Sequence, residues 1–341
     1  MFDKIKKIPS AEEIKKSLPL SESGKKLKSA RDAELKAIID GRDKRKVLII
    51  GPCSADSEPA VLDYISRLAK VAENVKEKLF IVPRIYTNKP RTRGDGYKGM
   101  FHSPNPHKGT DIHAGILSMR DLHIRSIEQS GLSAADEMLY PENYEYLEDL
   151  LSYVAVGARS SENQQHRLVA SGVDVPVGVK NPMFGSLPVL LNSIYAAQIS
   201  NEFKYGSYQV KTSGNPYAHA VLRGCVDSFG NNMPNYHYED VIKLYDMYTK
   251  QGLKNPALVI DVNHSNSNKN PFEQERIVRE VVANIKTCDK FRELVKGFMV
   301  ESYIVDGNQS SDGNVYGKSI TDGCIGWEKT EALIYGIAEN L

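Results

Sequence analysis

The sequence predicts an α/β chain: a (β/α)8 TIM barrel with an N-terminal helical extension and an inserted β-hairpin. Three observations carry this. From residue 46 onward, short apolar runs alternate with helical patterns, and eight such units follow one another. The runs are near-continuously apolar rather than alternating, as in strands covered on both faces of a parallel sheet. Several end on a charged or metal-binding residue, namely Cys53, Arg84, Arg159, Lys180, Arg223, His264 and Glu301. In a barrel, that is the rim where active sites are built. An open doubly wound sheet is the competing architecture, but the glycines after the first run form no dinucleotide fingerprint.

Taken in order, residues 1–24 carry lysines, Pro9 and Pro19, with Ser10 and Glu13 spaced as a capping box for a short helix. Residues 25–40 read as a helix, with Leu27, Ala30, Leu35, Ile38 and Ile39 apolar and Gly41 as its stop. Residues 1–41 are therefore expected to form the extension, and 42–341 the barrel. Strand 46–52 leads to helix 58–74, capped at Ser57. Strand 79–86 opens into a polar loop, 87–110, whose length marks it as functional. Helix 112–130 ends at Gly131, and strand 133–138 holds Asp136 and Glu137. Helix 142–151 is expected after Pro141, then strand 153–158, helix 162–171, strand 175–180 and helix 186–199. Residues 201–213 alternate aromatic and polar around Gly206, the pattern of a hairpin. Strand 218–223, helix 237–251, strand 257–263, helix 271–286 and strand 295–302 follow. A Gly- and Ser-rich loop, 306–324, precedes the last helix, 326–339.

With 41% hydrophobic and 26% charged residues the chain has the composition of a globular protein, and its net charge of +1 implies no nucleic-acid partner. No apolar run is long enough to span a bilayer, and the start lacks the apolar core of a signal peptide. The four cysteines, Cys53, Cys225, Cys288 and Cys324, are few and irregularly spaced, which points to a reducing cytoplasm rather than a disulfide framework.

Cys53, His264, Glu301 and Asp322 stand at or just after strand ends and together read as metal ligands. A thiolate, an imidazole and two carboxylates suit a divalent first-row transition ion better than calcium or magnesium. Taken singly, each reads better as a buried Cys, a capping His or a loop carboxylate; it is the four together at one face that point to a metal. A second set is cationic: Arg84, Lys89, Arg91, Arg159, Lys180 and Arg223. A lone Arg or Lys is ordinarily a solvated surface charge. Arg84, Arg159, Lys180 and Arg223, however, directly follow apolar runs, and cations buried together require anions. Phosphate and carboxylate groups fit Arg forks. Lys89-Pro90-Arg91-Thr92 adds a rigid turn suited to a second anion. If the strand continued regularly, Asp261 and Asn263 would share one face and His264 the other, and one of the two would orient the ligand.

Nine segments now stand in a recognisable order: Gly51-Pro52-Cys53-Ser54, Lys89-Pro90-Arg91-Thr92, Gly157-Ala158-Arg159, Val179-Lys180-Asn181, Leu222-Arg223-Gly224, His264-Ser265-Asn266, Val300-Glu301-Ser302, Gly307-Asn308-Gln309 and Gly317-Lys318-Ser319-Ile320-Thr321-Asp322. In this the chain resembles the type I 3-deoxy-D-arabino-heptulosonate 7-phosphate (DAHP) synthases of the larger, amino-acid-regulated group. The resemblance covers roughly residues 25–341. It implies condensation of phosphoenolpyruvate with D-erythrose 4-phosphate, opening the shikimate route to aromatic amino acids. It implies a divalent metal, manganese before iron, cobalt or zinc, held by Cys53, His264, Glu301 and Asp322. Arg84, Arg159, Lys180 and Arg223 would bind phosphoenolpyruvate, with Lys89 reaching between the substrates. Arg91 and Thr92 would bind the erythrose 4-phosphate end. Cys53, Lys89 and His264 would form the catalytic set. The extension and the hairpin would build a homodimer or homotetramer interface and an effector pocket for an aromatic amino acid. Two residues depart from the family pattern: Tyr97 stands near an expected tryptophan, and Tyr303 where a histidine is expected. Two rivals remain. One is a related synthase using another aldose phosphate such as arabinose 5-phosphate, whose family resembles Lys-Ala-Asn-Arg at the turn. The other is a non-catalytic barrel that senses amino acids.

Overall fold

The computed structural model describes residues 1–91 and 94–341. Eight parallel strands run in chain order: β1 (Lys46–Gly51), β2 (Leu79–Pro83), β3 (Ala135–Glu137), β4 (Tyr153–Val156), β5 (Val177–Lys180), β6 (Ala218–Leu222), β7 (Leu258–Asp261) and β8 (Val295–Glu301). Spatial neighbours are sequence neighbours, and β1 pairs with β8. A parallel bridge between Arg84 and Ala135 joins β2 to β3, with the Ile85 amide donating to the Ala135 carbonyl at 2.9 Å. The barrel is therefore closed, and the expected (β/α)8 architecture is present.

Two apolar layers follow from strand alternation. One set of side chains fills the barrel, among them Val47, Ile49, Phe80, Val82, Tyr153, Val221, Val259 and Met299. The other set faces the surrounding helices, as Leu48, Ile50, Phe298 and Val300 do. The interior also takes in Leu35 and Ile38, which come from α2 (Glu22–Ile39), so the extension plugs the base of the barrel. Arg31, on the same helix, donates to the Ile81 carbonyl at 2.6 Å and lies over the Phe80 ring.

The short helix α1 (Ala11–Ser17) has the capping box expected of Ser10 and Glu13. Around the barrel lie α3 (Glu58–Val75), α4 (Ile112–Ser130), α5 (Gln164–Ala170), α6 (Leu187–Gln198), α7 (Tyr238–Gln251), α8 (Gln274–Thr287), α9 (Asp289–Leu294) and α10 (Trp327–Asn340). The hairpin pairs Glu202–Tyr205 with Tyr208–Lys211, turning at Gly206 with φ +55°. Among the described residues no helix is long and apolar enough to cross a membrane.

Two expectations are corrected. The helix expected over 142–151 is a 3-10 turn, Pro141–Tyr146. Arg120 takes the Tyr146 carbonyl at 2.9 Å, and the Tyr146 hydroxyl reaches the Pro9 carbonyl at 3.0 Å, so helical hydrogen bonding does not propagate. α9 was not anticipated, because a six-residue helix burying only Phe291 and Leu294 is too short to display a period.

Candidate active site

The strand ends converge at one mouth. At the end of β1, Gly51 lets the chain press against the next strand: a Cβ there would lie 2.4 Å from the Arg84 carbonyl oxygen. The chain then delivers Cys53, which is fully buried. Cys53, Glu301 and Asp322 bring one donor atom each within 4.8 Å of one another. His264 approaches from β7, its Nε2 3.7 Å from Glu301 Oε1. The four predicted ligands thus share one site, three in a tight group and the imidazole just outside it.

His264 does not follow regular alternation. β7 stops at Asp261, and His264 takes a left-handed φ of +51°. This swings its ring back, so that Nδ1 lies 2.8 Å from Asp261 Oδ2. Neither atom has a hydrogen bond of good geometry among the described residues, and burial lowers His264 against the charge of Asp261. Asn268 and Lys269 are also left-handed. Three of the four such non-glycine residues among those described therefore fall in one turn at the site, where strain of this kind concentrates.

Cations interleave with the acidic groups. Lys89 Nζ lies 2.7 Å from Cys53 Sγ and 2.9 Å from Asp322 Oδ2. Arg84, 2% exposed, donates to Glu301 Oε1 at 2.7 Å, and its Nη1 has no hydrogen-bond partner among the described residues. Lys180 Nζ is 3.4 Å from Asp261 Oδ2. The Asn263 amide donates to Glu301 Oε2. Burial pushes the Cys53 thiol up to about 12, with Glu301 adding to the effect. Burial also acts to raise Glu301, but Arg84, His264 and Lys89 outweigh it and hold the carboxyl below its usual range. For Asp322, Lys89 likewise overcomes burial.

Above this cluster lies a cavity of about 390 Å³. All six predicted cations, Arg84, Lys89, Arg91, Arg159, Lys180 and Arg223, line it. Burial lowers Arg223, and the charge of Arg159 opposes it further. Thr92, the remaining predicted residue, lies outside the described residues. Sequence reasoning missed two charged lining residues, Glu137 and Lys269. Glu137 ends β3 and carries the same strand-end signal as the others. A Cβ at Gly157 would come within 2.6 Å of its carboxylate, so the glycine makes room for it. The two departures have local roles. Tyr97 is buried and donates to the Ala55 carbonyl at 3.3 Å, and the Tyr303 hydroxyl donates to Asp56 at 3.1 Å.

A closed parallel barrel with a cation-lined cavity over a thiol–imidazole–carboxylate cluster defines a class: barrel enzymes acting on substrates that bear several anionic groups. Within that class, the chain belongs to the DAHP synthetase I family, whose sequence profile matches residues 19–334. It is 38% identical over 340 residues to "Phospho-2-dehydro-3-deoxyheptonate aldolase, Tyr-sensitive" of Salmonella typhimurium, covering 97% of this chain and 92% of that protein. It is 40% identical over 310 residues to the Phe-sensitive protein of Escherichia coli, covering 88% and 85%. The solved structure of phospho-2-dehydro-3-deoxyheptonate aldolase from Francisella tularensis superposes with a TM-score of 0.93 at 29% identity, covering 100% of this chain and 98% of that one.

Proposed function

We propose that the cavity joins phosphoenolpyruvate to D-erythrose 4-phosphate, giving DAHP and inorganic phosphate, the first step toward the aromatic amino acids. The observation that carries this reading is the set of six cations around one cavity, with an unpaired buried N–H on Arg84. Arg84, Lys89 and Lys180 face carboxylates, whereas Arg91, Arg159 and Arg223 have none among the described residues, which supports a ligand with more than one anionic group.

The clustered thiol, imidazole and carboxylates fit a divalent first-row transition ion, manganese before iron, cobalt or zinc, held by Cys53, His264, Glu301 and Asp322. When bound, such an ion supplies Lewis-acid polarisation of the aldehyde. The chain's own residues do the rest. Arg84, Arg159, Lys180 and Arg223 hold phosphoenolpyruvate by its phosphate and carboxylate, and Arg91 with Thr92 holds the erythrose 4-phosphate phosphate. The enol carbon attacks the aldehyde carbon. Water adds at the phosphate-bearing carbon, and the C–O bond to phosphate breaks as the cation cage takes up the leaving charge. Lys89 stays protonated, because Cys53, Asp322 and Glu301 outweigh its burial, and it stands as proton donor to the new hydroxyl. Glu137, across the cavity, is placed to take the proton of the attacking water.

The test is phosphate release with the two substrates, before and after chelation and again with arabinose 5-phosphate. Release with erythrose 4-phosphate alone, abolished by chelation and by Cys53→Ala or His264→Ala, is the expected result. Release that survives both substitutions, with metal content unchanged, rejects the assignment. We assign residues 1–41 and the hairpin to a homodimer or homotetramer interface that binds an aromatic amino acid inhibitor, and the enzyme to the cytoplasm. The relatives' names, Tyr-, Phe- and Trp-sensitive, support the inhibitor class. Loss of inhibition by all three amino acids on deleting residues 2–20, with subunit mass measured alongside, is the expected outcome.

A further inference from the structure

At the base of the barrel, remote from the candidate active site, β1 and β8 carry neighbouring lysines. The register pairs Val47 with Gly297, which sets Lys46 beside Lys296 on the outer face. They are 8% and 9% exposed. Like charges side by side on adjacent strands repel, and burial of two cations without anions is unfavourable.

A capping role accounts for part of this arrangement. Lys46 Nζ donates to the carbonyls of Arg292 and Val295 at 3.0 and 2.5 Å, at the end of α9, and Lys44 donates to the Gly41 carbonyl at 3.0 Å, just past α2. Cations at helix C-termini are favourable. Lys296 is not explained this way, having no hydrogen-bond or ion-pair partner among the described residues. Gly41, at φ +84°, leaves room for its ammonium: a Cβ there would lie 3.0 Å from Lys296 Nζ.

All three lysines line one cavity of about 1100 Å³. Three of the acids lining it are engaged: Asp40 by Arg42, Asp43 by Arg45 and Asp289 by Arg292. Among the described residues Glu77 has no ion-pair partner, and Glu293 contacts only the Tyr245 hydroxyl. Burial first, and then the charges of Lys296, Lys44 and Arg292, push the Lys46 ammonium down to about 7. Burial and Lys44 lower Lys296 as well, against the opposing charges of Glu293 and Asp40.

We propose that this basin binds a small phosphate-type oxyanion, free or as a monoester, held by Lys296, Lys46 and Lys44. Lys296 is the anchor, because its ammonium is the one with no other task. The site is separate from the phosphate-binding cations at the opposite mouth and does not depend on the reaction proposed there.

Equilibrium dialysis of the full chain against radiolabelled orthophosphate tests this. Three sites per chain are expected, two at the opposite mouth and one in the basin. Lys296→Met loses one and keeps kcat within about twofold, and Arg223→Met loses one of the other two. Lys296→Arg, which keeps the charge, retains all three and guards against misfolding in the Met variant. No site beyond the two at the mouth, or unchanged binding in a folded Lys296→Met, overturns the proposal. Glycerol 3-phosphate displacing the label more tightly than orthophosphate identifies a monoester ligand, and the reverse order identifies the free ion. Displacement by neither from the Lys296-dependent site overturns the proposal.

Discussion

Asp261 is where the two halves of the candidate site meet. It is fully buried, 2.8 Å from the His264 ring and 3.4 Å from the Lys180 ammonium. Burial acts to raise it, but His264 and Lys180 outweigh burial and keep it ionised. Asp261→Asn should therefore disturb both neighbours. Metal affinity should fall by about 10–100-fold in a chelator competition, and KM for phosphoenolpyruvate should rise. Unchanged metal affinity would show that the imidazole does not need its anionic partner. Asp56, which is not itself a proposed ligand, gives a pH prediction. Burial pushes it up to about 6 from 3.8, against the hydrogen bonds from Tyr303 and the Ile320 amide. A carboxyl raised on folding contributes stability that is fully present below pH 3.8 and lost as pH rises through about 6. The full effect is on the order of 2–3 kcal/mol. Asp56→Asn cannot ionise, so melting curves should show the variant gaining on the wild type from pH 4 to pH 7. Parallel curves would mean that Asp56 is not raised. At this scale the sequence exposed the residues that follow long apolar runs. Glu137 escaped because Asp136 beside it made the strand end ambiguous, and Lys269 because no periodicity encodes a left-handed turn.

Elements pack here to distances that some glycines alone permit. Gly297 on β8 faces the Val47 carbonyl oxygen, which a Cβ would approach to 1.9 Å. Gly297→Ala must push β1 and β8 apart. A loss of about 3 kcal/mol or more is expected from overpacking against backbone. Gly336, within α10, has nothing within 4 Å of the same construction, so Gly336→Ala should add about 0.5–1 kcal/mol through helix propensity. Chemical denaturation of the two variants checks the pair, and a Gly297→Ala as stable as wild type would mean that the register is looser than described. The eight strands were legible because burial on both faces leaves an unbroken apolar run. The 3-10 turn at Pro141–Tyr146 was not, because its path is set by Arg120, Pro9 and other residues distant in sequence. The start of α2 came three residues earlier than the apolar pattern indicated, because Ser21 caps it ahead of the first buried side chain.

Across the whole molecule, one buried side chain links the extension to the barrel. Arg120, on α4, is fully buried. It donates to the Leu18 carbonyl at 2.7 Å, to the Tyr146 carbonyl at 2.9 Å, and through two N–H groups to Asp149 at 2.7 Å each. Leu18 lies between α1 and α2, and Tyr146 in turn holds Pro9. Removing the guanidinium leaves a carboxylate and two carbonyls unpaired, so Arg120→Ala should cost about 3 kcal/mol. The loss should not be shared evenly. α2 keeps its hold through Leu35 and Ile38 inside the barrel, whereas Ile14 and Leu20 are the buried apolar anchors of the preceding segment. Hydrogen exchange should therefore accelerate first at residues 11–20, while β1 and β8 stay protected. Because the proposed effector pocket uses this segment, the same variant should lose inhibition by aromatic amino acids with kcat retained. Uniform acceleration across both regions would make the extension part of the barrel's own cooperative unit, and the inhibitor pocket would have to be placed elsewhere.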